Sequence, residues 1–585
     1  MRILLFCLIL IVMSSCKKSE ETPTFDMLCE AYFKDKSALN PLEATLYGQM
    51  EYNDLLEIEM TDSYRAKQAE FYSKYDKALA KVDTTALDDE QKLSYGIMAW
   101  ELETGREMLR HNRNLMPIHQ FDGTHLTMGM LASGEGAQPF KTEKDYRNFL
   151  KRLERFAVWM DSAEAYMRKG MEKGIVIPRA LALRVVPQFR DMANGSVEDN
   201  IFYSAVRNMP AGVSAQAKSE LEKSYAAVIA DRIVPRFKRM ADFIEKEYAP
   251  ACRETSGIGS LPGGDALYRT LVKQWTTTDL APDEIHELGL REVARLRNEM
   301  EGVKKQVGFK GTIKEFFDHV RARRELMPFT EPGQVIRNFE KIHDRIRPNV
   351  DKLFSLQPKT PFEVRRTEAF REKTASAEYM QGSPDGSRPG IFYVPIPDVT
   401  KYNYYADEDL FLHEAIPGHH FQVSLQQENE KLPDFRKFNW FGAYGEGWAL
   451  YTESLGHELG LYRDPYQYFG MLGSEMHRAI RLVVDTGLHS KNWTREQAIQ
   501  YSLDNEAESE ASIIAEIERY MAIPGQALSY KIGQLKIIEL RKRAETRLGN
   551  RFDIRAFHAQ VLESGVMPLA LLEKKVDRWI AAKSK

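Results

Sequence analysis

The sequence predicts a mostly α-helical fold for this chain of 585 residues. Over long stretches, apolar residues recur at intervals of three and four, which is the period of a helix that buries one face. Few segments show the alternation or the β-branched and aromatic enrichment that is typical of strands. With 43% hydrophobic and 28% charged residues, the chain can bury a sizeable core and does not have the composition of a disordered protein.

The charge balance argues against nucleic acid as a partner. The 81 basic and 85 acidic residues give a net charge of −4 and form no long block of one sign. Proteins that bind nucleic acid normally carry a basic patch or a strongly basic domain. We therefore expect no nucleic-acid partner.

The first fifteen residues have the composition of an export signal. Arg2 precedes the apolar stretch 3–13, which is too short to span a membrane, and small residues follow it. Cys16, directly after them, resembles the acylated cysteine of the bacterial lipobox, although Met13 stands where Leu, Val or Ile is usual. The resemblance implies a protein anchored by a lipid on Cys16 in the cell envelope, in the periplasm or at the outer membrane, with residues 16–25 as a polar tether. Plain secretion is the alternative.

Two cysteines, Cys29 and Cys252, lie in the rest of the chain. They can pair or remain buried thiols, but they do not form a disulfide framework. No apolar run after the signal reaches the roughly 20 residues of a membrane helix. The lipid is therefore the only expected contact with a membrane.

The clearest predicted helix covers residues 142–168 in an N-terminal helical part, 26–255. Thr142 and Asp145 form a pattern like a capping box, in which each side chain bonds the backbone N–H of the other. A stripe of apolar residues at helical spacing then predicts one buried face. Its members are Phe149, Leu150, Leu153, Phe156, Ala157, Met160, Ala163 and Met167.

Proline and glycine cluster between residues 250 and 265, and we place there the boundary to a C-terminal helical part, 256–585. The two parts can also form one compact unit. Pro282, Asp283 and Glu284 begin a further helix, because proline suits the first turn and acids favour the positive end of the helix dipole. Its apolar side comprises Ile285, Leu288, Leu296 and Met300.

The best candidate for a strand is the segment 390–397. It reads G-I-F-Y-V-P-I-P and follows a stretch rich in turn residues. Pro395 and Pro397 cannot donate to a ladder of hydrogen bonds, so we predict an edge strand or an extended segment.

The segment 413–422 reads H-E-A-I-P-G-H-H-F-Q and looks like a broken zinc motif. In H-E-x-x-H, two histidines on one helix face bind zinc and the glutamate polarises a bound water, so Glu414 is the predicted general base. Here Pro417 occupies the position of the second histidine. Proline cannot continue the helix and Gly418 permits unusual backbone angles, so we expect a kink that brings a later histidine back to His413.

Either His419 or His420 can be that second ligand. His420 is seven residues from His413, on the same nominal face but about 10 Å along an ideal helix axis. His419 directly follows a glycine, which resembles the H-E-x-G-H form of several helical peptidases. We favour His419 and expect His420 to support a ligand or contact the substrate.

A second motif follows in residues 445–453, which read G-E-G-W-A-L-Y-T-E. It resembles the N-E-G-x-x-x-Y-x-E pattern of zinc aminopeptidases, in which the first glutamate binds the metal. Glu446 and Glu453 are seven residues apart on the same side of a helix. We predict that Glu446 is the third zinc ligand and that Glu453 orients a ligand imidazole.

These motifs identify the chain as a member of the family called domain of unknown function 885. The resemblance extends over nearly the whole chain after the signal, and residues 276–289, 413–422, 445–451, 481–489 and 520–533 carry it. The family is similar to helical gluzincins such as neurolysin and angiotensin-converting enzyme. This similarity implies a large helical metallopeptidase-like scaffold whose deep cleft admits short peptides. It also implies that the segment 390–397 can pair with the substrate backbone as a β-edge near the active site; a purely structural role is the alternative.

Two tyrosines downstream of the site are candidates for stabilising the oxyanion of amide hydrolysis. Tyr520 and Tyr530 hold the place of such donors in the similar peptidases. A buried tyrosine with a satisfied hydroxyl is the alternative for each.

Four more residues are candidates for contacts to the substrate or to a ligand. Arg481 can receive a substrate carboxylate with two hydrogen bonds. Asp485 and His489, four residues apart, can form a hydrogen-bonded pair, with an ordinary surface pair or helix cap as the alternative. The predicted loop 524–526 would present Gln526 to a peptide.

The sequence therefore predicts a lipid-anchored zinc metallopeptidase that hydrolyses short peptides. A zinc amidohydrolase that acts on a non-peptide or cell-wall amide uses the same site and remains an alternative. A non-catalytic lipoprotein that binds peptides is the third possibility, but such a protein has no need for Glu414 beside its ligands.

Overall fold

The computed structural model describes residues 24–134, 136–368, 372, 375–383 and 388–585. Helices form most of it, as the sequence predicts. Outside the described residues lie the predicted export signal, Cys16 and the predicted tether except for its last two residues. The first helix begins at Phe25.

The described residues of the predicted N-terminal part form eleven helices. The last three of them follow one another without a loop, because the single π-helical turns Ile229–Ile233 and Ile244–Tyr248 connect them. The eleven helices are α1 (Phe25–Leu39), α2 (Pro41–Leu46), α3 (Asp62–Leu79), α4 (Asp89–Met108), α5 (Thr124–Ala132), α6 (Glu143–Lys173), α7 (Arg179–Met192), α8 (Ser204–Arg207), α9 (Ala215–Val228), α10 (Val234–Phe243) and α11 (Ala249–Ala251).

The predicted C-terminal part contributes fifteen helices among the described residues. They are α12 (Gly264–Thr276), α13 (Pro282–Gln306), α14 (Ile313–Ala322), α15 (Pro332–Leu353), α16 (Asp407–Glu414), α17 (His419–Glu428), α18 (Asp434–Lys437), α19 (Gly442–Glu453), α20 (Gly456–Leu459), α21 (Pro465–Ser490), α22 (Arg495–Asn505), α23 (Glu510–Ala522), α24 (Ser529–Leu548), α25 (Ile554–Leu562) and α26 (Leu569–Ser584).

The two helices predicted in most detail are confirmed. At the start of α6 the side chains of Thr142 and Asp145 bond each other's backbone N–H groups, as in a capping box. The predicted stripe of α6 is buried except for Leu150, which is half-buried. Helix α13 begins at Pro282 as expected, with its apolar side against α21.

One buried apolar cluster includes residues from both predicted parts of the chain. Ion pairs also cross between them. Arg184 of α7 contacts Glu518 of α23 at 2.8 Å, and Arg436 of α18 contacts Glu90 of α4 at 3.1 Å. The two parts are thus packed together over a shared core.

The described residues form a small sheet of three strands, β1 (Phe362–Arg366), β2 (Glu378–Met380) and β3 (Gly390–Val394). Their order is β1-β3-β2, with β3 parallel to β1 and antiparallel to β2. The prediction of β3 as an edge strand is therefore wrong. Both prolines lie beyond Val394, so they do not prevent β3 from pairing on both sides, and β2 forms an edge instead.

Cys29 and Cys252 are buried free thiols. Among the described residues, no helix has both the length and the apolar character needed to cross a bilayer.

Candidate metal centre

The broken motif corresponds to a break between two helices. Helix α16 ends at Glu414 and α17 begins at His419, with a cis peptide bond before Pro417. At Gly418 the chain passes so close to α16 that a Cβ atom would lie 1.9 Å from the carbonyl oxygen of His413. Only glycine permits this approach, and it brings the start of α17 back beside His413.

Helix α19 holds the break in place. Trp448 donates a 2.9 Å hydrogen bond from its indole nitrogen to the carbonyl oxygen of Pro417, and the Thr452 hydroxyl donates at 2.8 Å to that of Leu412. These carbonyls lie at the end of α16 and in the break, where the regular hydrogen bonds of a helix are missing. The side chains of α19 therefore supply donors to carbonyl oxygens that would otherwise be buried without a partner. The helix that carries Glu446 and Glu453 therefore also fixes the position of the histidines.

Three predicted ligands converge between these helices. His413, His419 and Glu446 each offer one ligand atom, and all three atoms lie within 4.8 Å of one another. Oε2 of Glu446 is 3.4 Å from Nε2 of His419 and 3.7 Å from Nε2 of His413. Burial raises the pKa of the Glu446 carboxyl, but the two imidazoles outweigh this and hold that pKa well below its usual range.

The distances from Glu446 to the two histidines are close to those expected around a zinc ion. In a tetrahedral zinc site with bonds of about 2.0–2.2 Å, neighbouring ligand atoms are roughly 3.3–3.6 Å apart. The contacts of 3.4 and 3.7 Å are close to this value, and both exceed the usual hydrogen-bond length of at most about 3.2 Å. Two imidazoles and one carboxylate leave a fourth position open, as in catalytic zinc sites.

The carboxylate of Glu453 accepts a 2.7 Å hydrogen bond from Nδ1 of His413. This bond sets the tautomer of the imidazole and directs Nε2 towards Glu446, which is the orienting contact that the sequence predicts. The backbone oxygen of Glu453 in turn accepts from the Tyr462 hydroxyl at 2.8 Å. Both the side chain and the backbone of Glu453 therefore form hydrogen bonds within the core.

Glu414 is buried and lines the same cleft as the triad. Its burial raises the pKa of the carboxyl, while His413 and His419 lower it in part. A carboxylate with a raised pKa is the kind of group that can accept a proton from water near neutral pH.

The cleft that contains the triad has a volume of about 880 Å³. Pockets of this size accommodate small molecules and short peptides. Its lining residues include four groups: the triad with Glu414, the strand β2 with its neighbours, an aromatic group and a basic group. The aromatic group is Tyr47, Phe438 and Trp440, and the basic group is His477, Arg478, Arg481 and Arg519.

The edge strand β2 and its neighbours, residues 376–381, line this cleft. Among the described residues β2 pairs only with β3, so its other side is where an extended peptide would add to the sheet. The predicted β-edge near the site exists, but β2 supplies it.

Trp440 is 41% exposed and its ring lies 5.9 Å from that of His419. Its position depends on Gly445, where a Cβ atom would lie 2.1 Å from the indole. An exposed aromatic ring beside this predicted ligand is a surface against which apolar groups can pack.

The two candidate tyrosines occupy different environments. Tyr530 lines the cleft. Tyr520 is buried, donates from its hydroxyl to Glu516 at 2.7 Å and accepts from Arg481 at 2.9 Å. The structure does not bring Tyr520 into the cleft wall, so Tyr530 is the candidate that can reach a substrate.

His420 lies apart from the triad. Nδ1 is 3.2 Å from the Tyr379 hydroxyl, and the ring packs against Phe362 at 5.0 Å. Burial lowers the pKa of His420 to about 4, so the ring is neutral near neutral pH. His420 therefore packs under the sheet and contacts Tyr379, which itself lines the cleft.

The predicted pair of Asp485 and His489 is wrong: each is buried with other partners. Asp485 accepts from the Tyr268 hydroxyl at 2.6 Å and from the backbone N–H of Gly525. His489 accepts from the backbone N–H of Ile258 and donates to a backbone carbonyl of α23. These partners come from distant segments, and both residues tie helix α21 to its surroundings.

Gln526 is also bound within the protein. Its side-chain oxygen accepts a 3.0 Å hydrogen bond from Arg519, and its side chain is not among those that line the cleft. The expectation that the loop presents Gln526 to a peptide is not met, whereas Arg519 does reach the cleft.

Helices α19 and α24 touch behind the site. A Cβ atom on Gly533 would lie 1.8 Å from the carbonyl oxygen of Ala443, and one on Gly447 would lie 2.4 Å from the Cα atom of Gly533. The backbones are therefore in direct contact, next to Glu446 on one helix and close to Tyr530 on the other.

Comparisons with known proteins find relatives along nearly the whole chain. The sequence profile described as "Bacterial protein of unknown function (DUF885)" matches residues 41–576. A crystal structure of a candidate lipoprotein from Colwellia psychrerythraea is similar, with a TM-score of 0.87 and 28% identity over 96% of this chain and 100% of that one. A candidate lipoprotein of unknown function from Shewanella oneidensis has the same fold, with a TM-score of 0.76 and 19% identity over 94% and 99% of the two chains. No curated protein matches this chain in sequence.

Proposed function

We propose that this chain, which belongs to the bacterial family DUF885, is a zinc-dependent peptidase that acts on short peptides. The observation that carries the proposal is the convergence of His413, His419 and Glu446, with Glu414 buried beside them in the same cleft. A structural zinc site usually has four protein ligands and needs no base. Three ligands and an adjacent carboxylate in an open cleft are the parts of a hydrolytic site.

In the proposed hydrolysis of an amide, each residue of the site has a separate role. His413, His419 and Glu446 would hold a zinc ion, which when bound would supply a Lewis acid for the scissile carbonyl and lower the pKa of the attacking water. Glu414 takes a proton from the attacking water and passes it to the leaving amine. The Tyr530 hydroxyl donates a hydrogen bond to the oxyanion, and Glu453 keeps the His413 imidazole in position.

The shape of the cleft supports a peptide as the substrate. The strand β2 lies along the cleft wall at the edge of the described sheet, where main-chain hydrogen bonds would hold an extended peptide whatever its sequence. Trp440 and its aromatic neighbours would contact substrate side chains. A volume of about 880 Å³ accommodates a short peptide and not a folded protein.

We also propose that the protein is exported and anchored by a lipid on Cys16. The Colwellia psychrerythraea protein, similar over its whole length, is described as a candidate lipoprotein. Helix α1 begins at Phe25, so a tether of only a few residues would connect the lipid to the folded body. A membrane-associated protein that becomes soluble when Cys16 is changed to Ser would support the anchor, and unchanged membrane association would contradict it.

The proposed reaction is tested by metal content and one matched pair of variants. We expect about one zinc per chain and hydrolysis in a mixed peptide library. Glu414→Gln should retain zinc and lose activity by a factor of about 10² or more, since it keeps the shape of the side chain but cannot accept the proton. Glu458→Gln, on the surface in α20, is the control and should behave like the wild type.

Two outcomes would contradict the peptidase. A wild-type protein without zinc, or equal turnover by Glu414→Gln and the wild type, would exclude the proposed chemistry. Zinc with hydrolysis of cell-wall amides but of no peptide in the library would instead favour the amidohydrolase alternative.

A further inference from the structure

We infer that the basic group of the cleft binds the free C-terminal carboxylate of a peptide, so that cleavage occurs near the C-terminus of the substrate. This inference rests on the proposed peptidase function. It concerns His477, Arg478 and Arg481 on one face of α21 and Arg519 on α23, all of which line the same cleft as the zinc triad.

The positive charges of this group exceed the acids that pair with them. Arg481, Arg519 and His477 all share Glu516, at 2.9, 3.3 and 3.5 Å, and His477 also contacts Glu506. Arg478, by contrast, has no carboxylate within 4.0 Å among the described residues. Its only hydrogen bond there goes from a guanidinium nitrogen to a backbone oxygen one turn earlier.

Three guanidinium nitrogens of the group are buried without a hydrogen-bond partner in the described part of the chain. They are Nε of Arg478, one terminal nitrogen of Arg481 and Nε of Arg519. Arg481 is only 5% exposed. Buried donors on charged groups are costly unless something accepts from them, so this arrangement fits a missing anionic partner. Glu508 also lines the cleft, but it lies within 4.0 Å of none of these cations.

The arginine closest to the core is held in place before any ligand arrives. Arg481 donates from Nε to Tyr520 and from a terminal nitrogen to Glu516, both at 2.9 Å. The ring of Tyr530 lies 4.6 Å from the guanidinium carbon. A fixed planar guanidinium recognises a carboxylate through two parallel hydrogen bonds and loses little entropy when it binds.

The basic group is also close to the proposed reaction centre. Arg478, Arg481 and Glu414 all line the cleft that contains the triad. A carboxylate bound at Arg478 and Arg481 would therefore place a peptide bond close to the end of the chain beside Glu414. A cleft built for internal cleavage has no need for a cation without an acidic partner, such as Arg478, at this point.

The binding preference can be measured without turnover. In the Glu414→Gln protein, calorimetry would compare one peptide in two forms, with a free C-terminal carboxylate and with a C-terminal amide. We expect the free acid to bind roughly tenfold to hundredfold more tightly, the range typical of charge-assisted hydrogen bonds. Adding Arg478→Gln should reduce this ratio to near 1. Equal binding of both forms by the Glu414→Gln protein would overturn the inference.

A third peptide distinguishes the source of the carboxylate. It has a C-terminal amide and a glutamate as its last side chain. If it binds as tightly as the free acid, the site recognises an acidic side chain and the inference is wrong. If it binds like the other amide, the terminal carboxylate is the ligand.

Two further variants are controls that distinguish the loss of a specific contact from a general loss of structure. Arg478→Lys keeps the charge but not the fork of donors, and it should retain part of the preference for the free acid. Arg147→Gln, on the surface of α6, removes a charge far from the cleft and should leave the preference unchanged. Loss of the preference in Arg147→Gln as well would contradict the assignment to Arg478.

Product analysis separates this inference from the proposed function. If the protein releases only C-terminal fragments and cleaves amidated peptides poorly, the result supports both the peptidase function and the carboxylate site. Equal cleavage of free and amidated peptides at internal bonds overturns the carboxylate site and leaves the peptidase intact. If no peptide is hydrolysed, the proposed function fails, and the calorimetric ratio still decides whether the basic group binds a terminal carboxylate.

Discussion

Nδ1 of His413 and Oε1 of Glu453 are 2.7 Å apart, so the first residue of one motif is bonded to the last residue of the other. The two residues lie on α16 and α19, and the bond aligns the imidazole with Glu446. We expect Glu453→Ala to weaken zinc binding by about 10- to 100-fold, which is the usual effect of losing a residue that orients a ligand. Zinc affinity measured by competition with a chelator tests this expectation. Glu453→Gln can still accept from Nδ1 through its amide oxygen and should be affected less, so an equal loss in both variants would argue against the orienting bond.

The choice between the neighbouring histidines can be decided by metal content. His419→Ala should lose nearly all bound zinc, because Nε2 of His419 faces Glu446 at 3.4 Å. His420→Ala should retain zinc, because its imidazole contacts Tyr379 and packs under the sheet. The two variants remove the same group from adjacent positions and are controls for each other. The reverse result, zinc lost only in His420→Ala, would contradict the proposed triad.

The two tyrosines should differ in what their hydroxyls do. Tyr530→Phe should lower kcat by a factor of about 10²–10³ with little effect on stability, as expected for a donor to the oxyanion. Tyr520→Phe should instead lower the free energy of unfolding by about 1–3 kcal/mol, because Arg481 and Glu516 lose a buried partner. Steady-state kinetics and thermal unfolding of both variants test this division. A larger loss of kcat in Tyr520→Phe would reverse the assignment.

Asp485 should make stability depend on pH. Its burial raises the pKa of the carboxyl from 3.8 to about 7, although Tyr268 and the backbone of Gly525 donate to it. Between these values the folded protein keeps a proton that the unfolded chain has released, so the contribution of Asp485 to stability falls as pH rises towards 7. Asp485→Asn has no such proton. From pH 5.5 to 8 the stability of the variant relative to the wild type should rise by about 2 kcal/mol. Thermal unfolding at several pH values measures the difference, and a constant difference would mean that the carboxyl is not shifted.

Local patterns were sufficient to predict much of the fold and the break in the motif. The caps and apolar stripe of α6 depend only on neighbouring residues, and periodicity reveals them. The kink at Pro417 and Gly418 follows from the backbone restrictions of these two residues, and it occurs where predicted. Prediction worked where the cause lies within a few residues along the chain.

Features that depend on distant partners were not predictable in this way. The order of the sheet places β3 in the centre because β1 and β2 come to it from either side. Asp485 and His489 have the spacing of a pair, but each finds its partners in other segments. Arg478 was missed for the same reason, although a second charge three residues before Arg481 in a largely apolar helix was a usable signal.

The contact of Gly447 with Gly533 has a consequence for how the site moves. Glu446 precedes the first glycine directly, and Tyr530 lies three residues before the second. Because no side chain separates the two backbones, neither helix can move closer to the other without a collision of main-chain atoms. We therefore expect the Glu446 carboxylate and the Tyr530 hydroxyl to keep a fixed separation when a substrate binds. If the cleft changes its width around a peptide, we expect the change to come from other lining elements, such as β2.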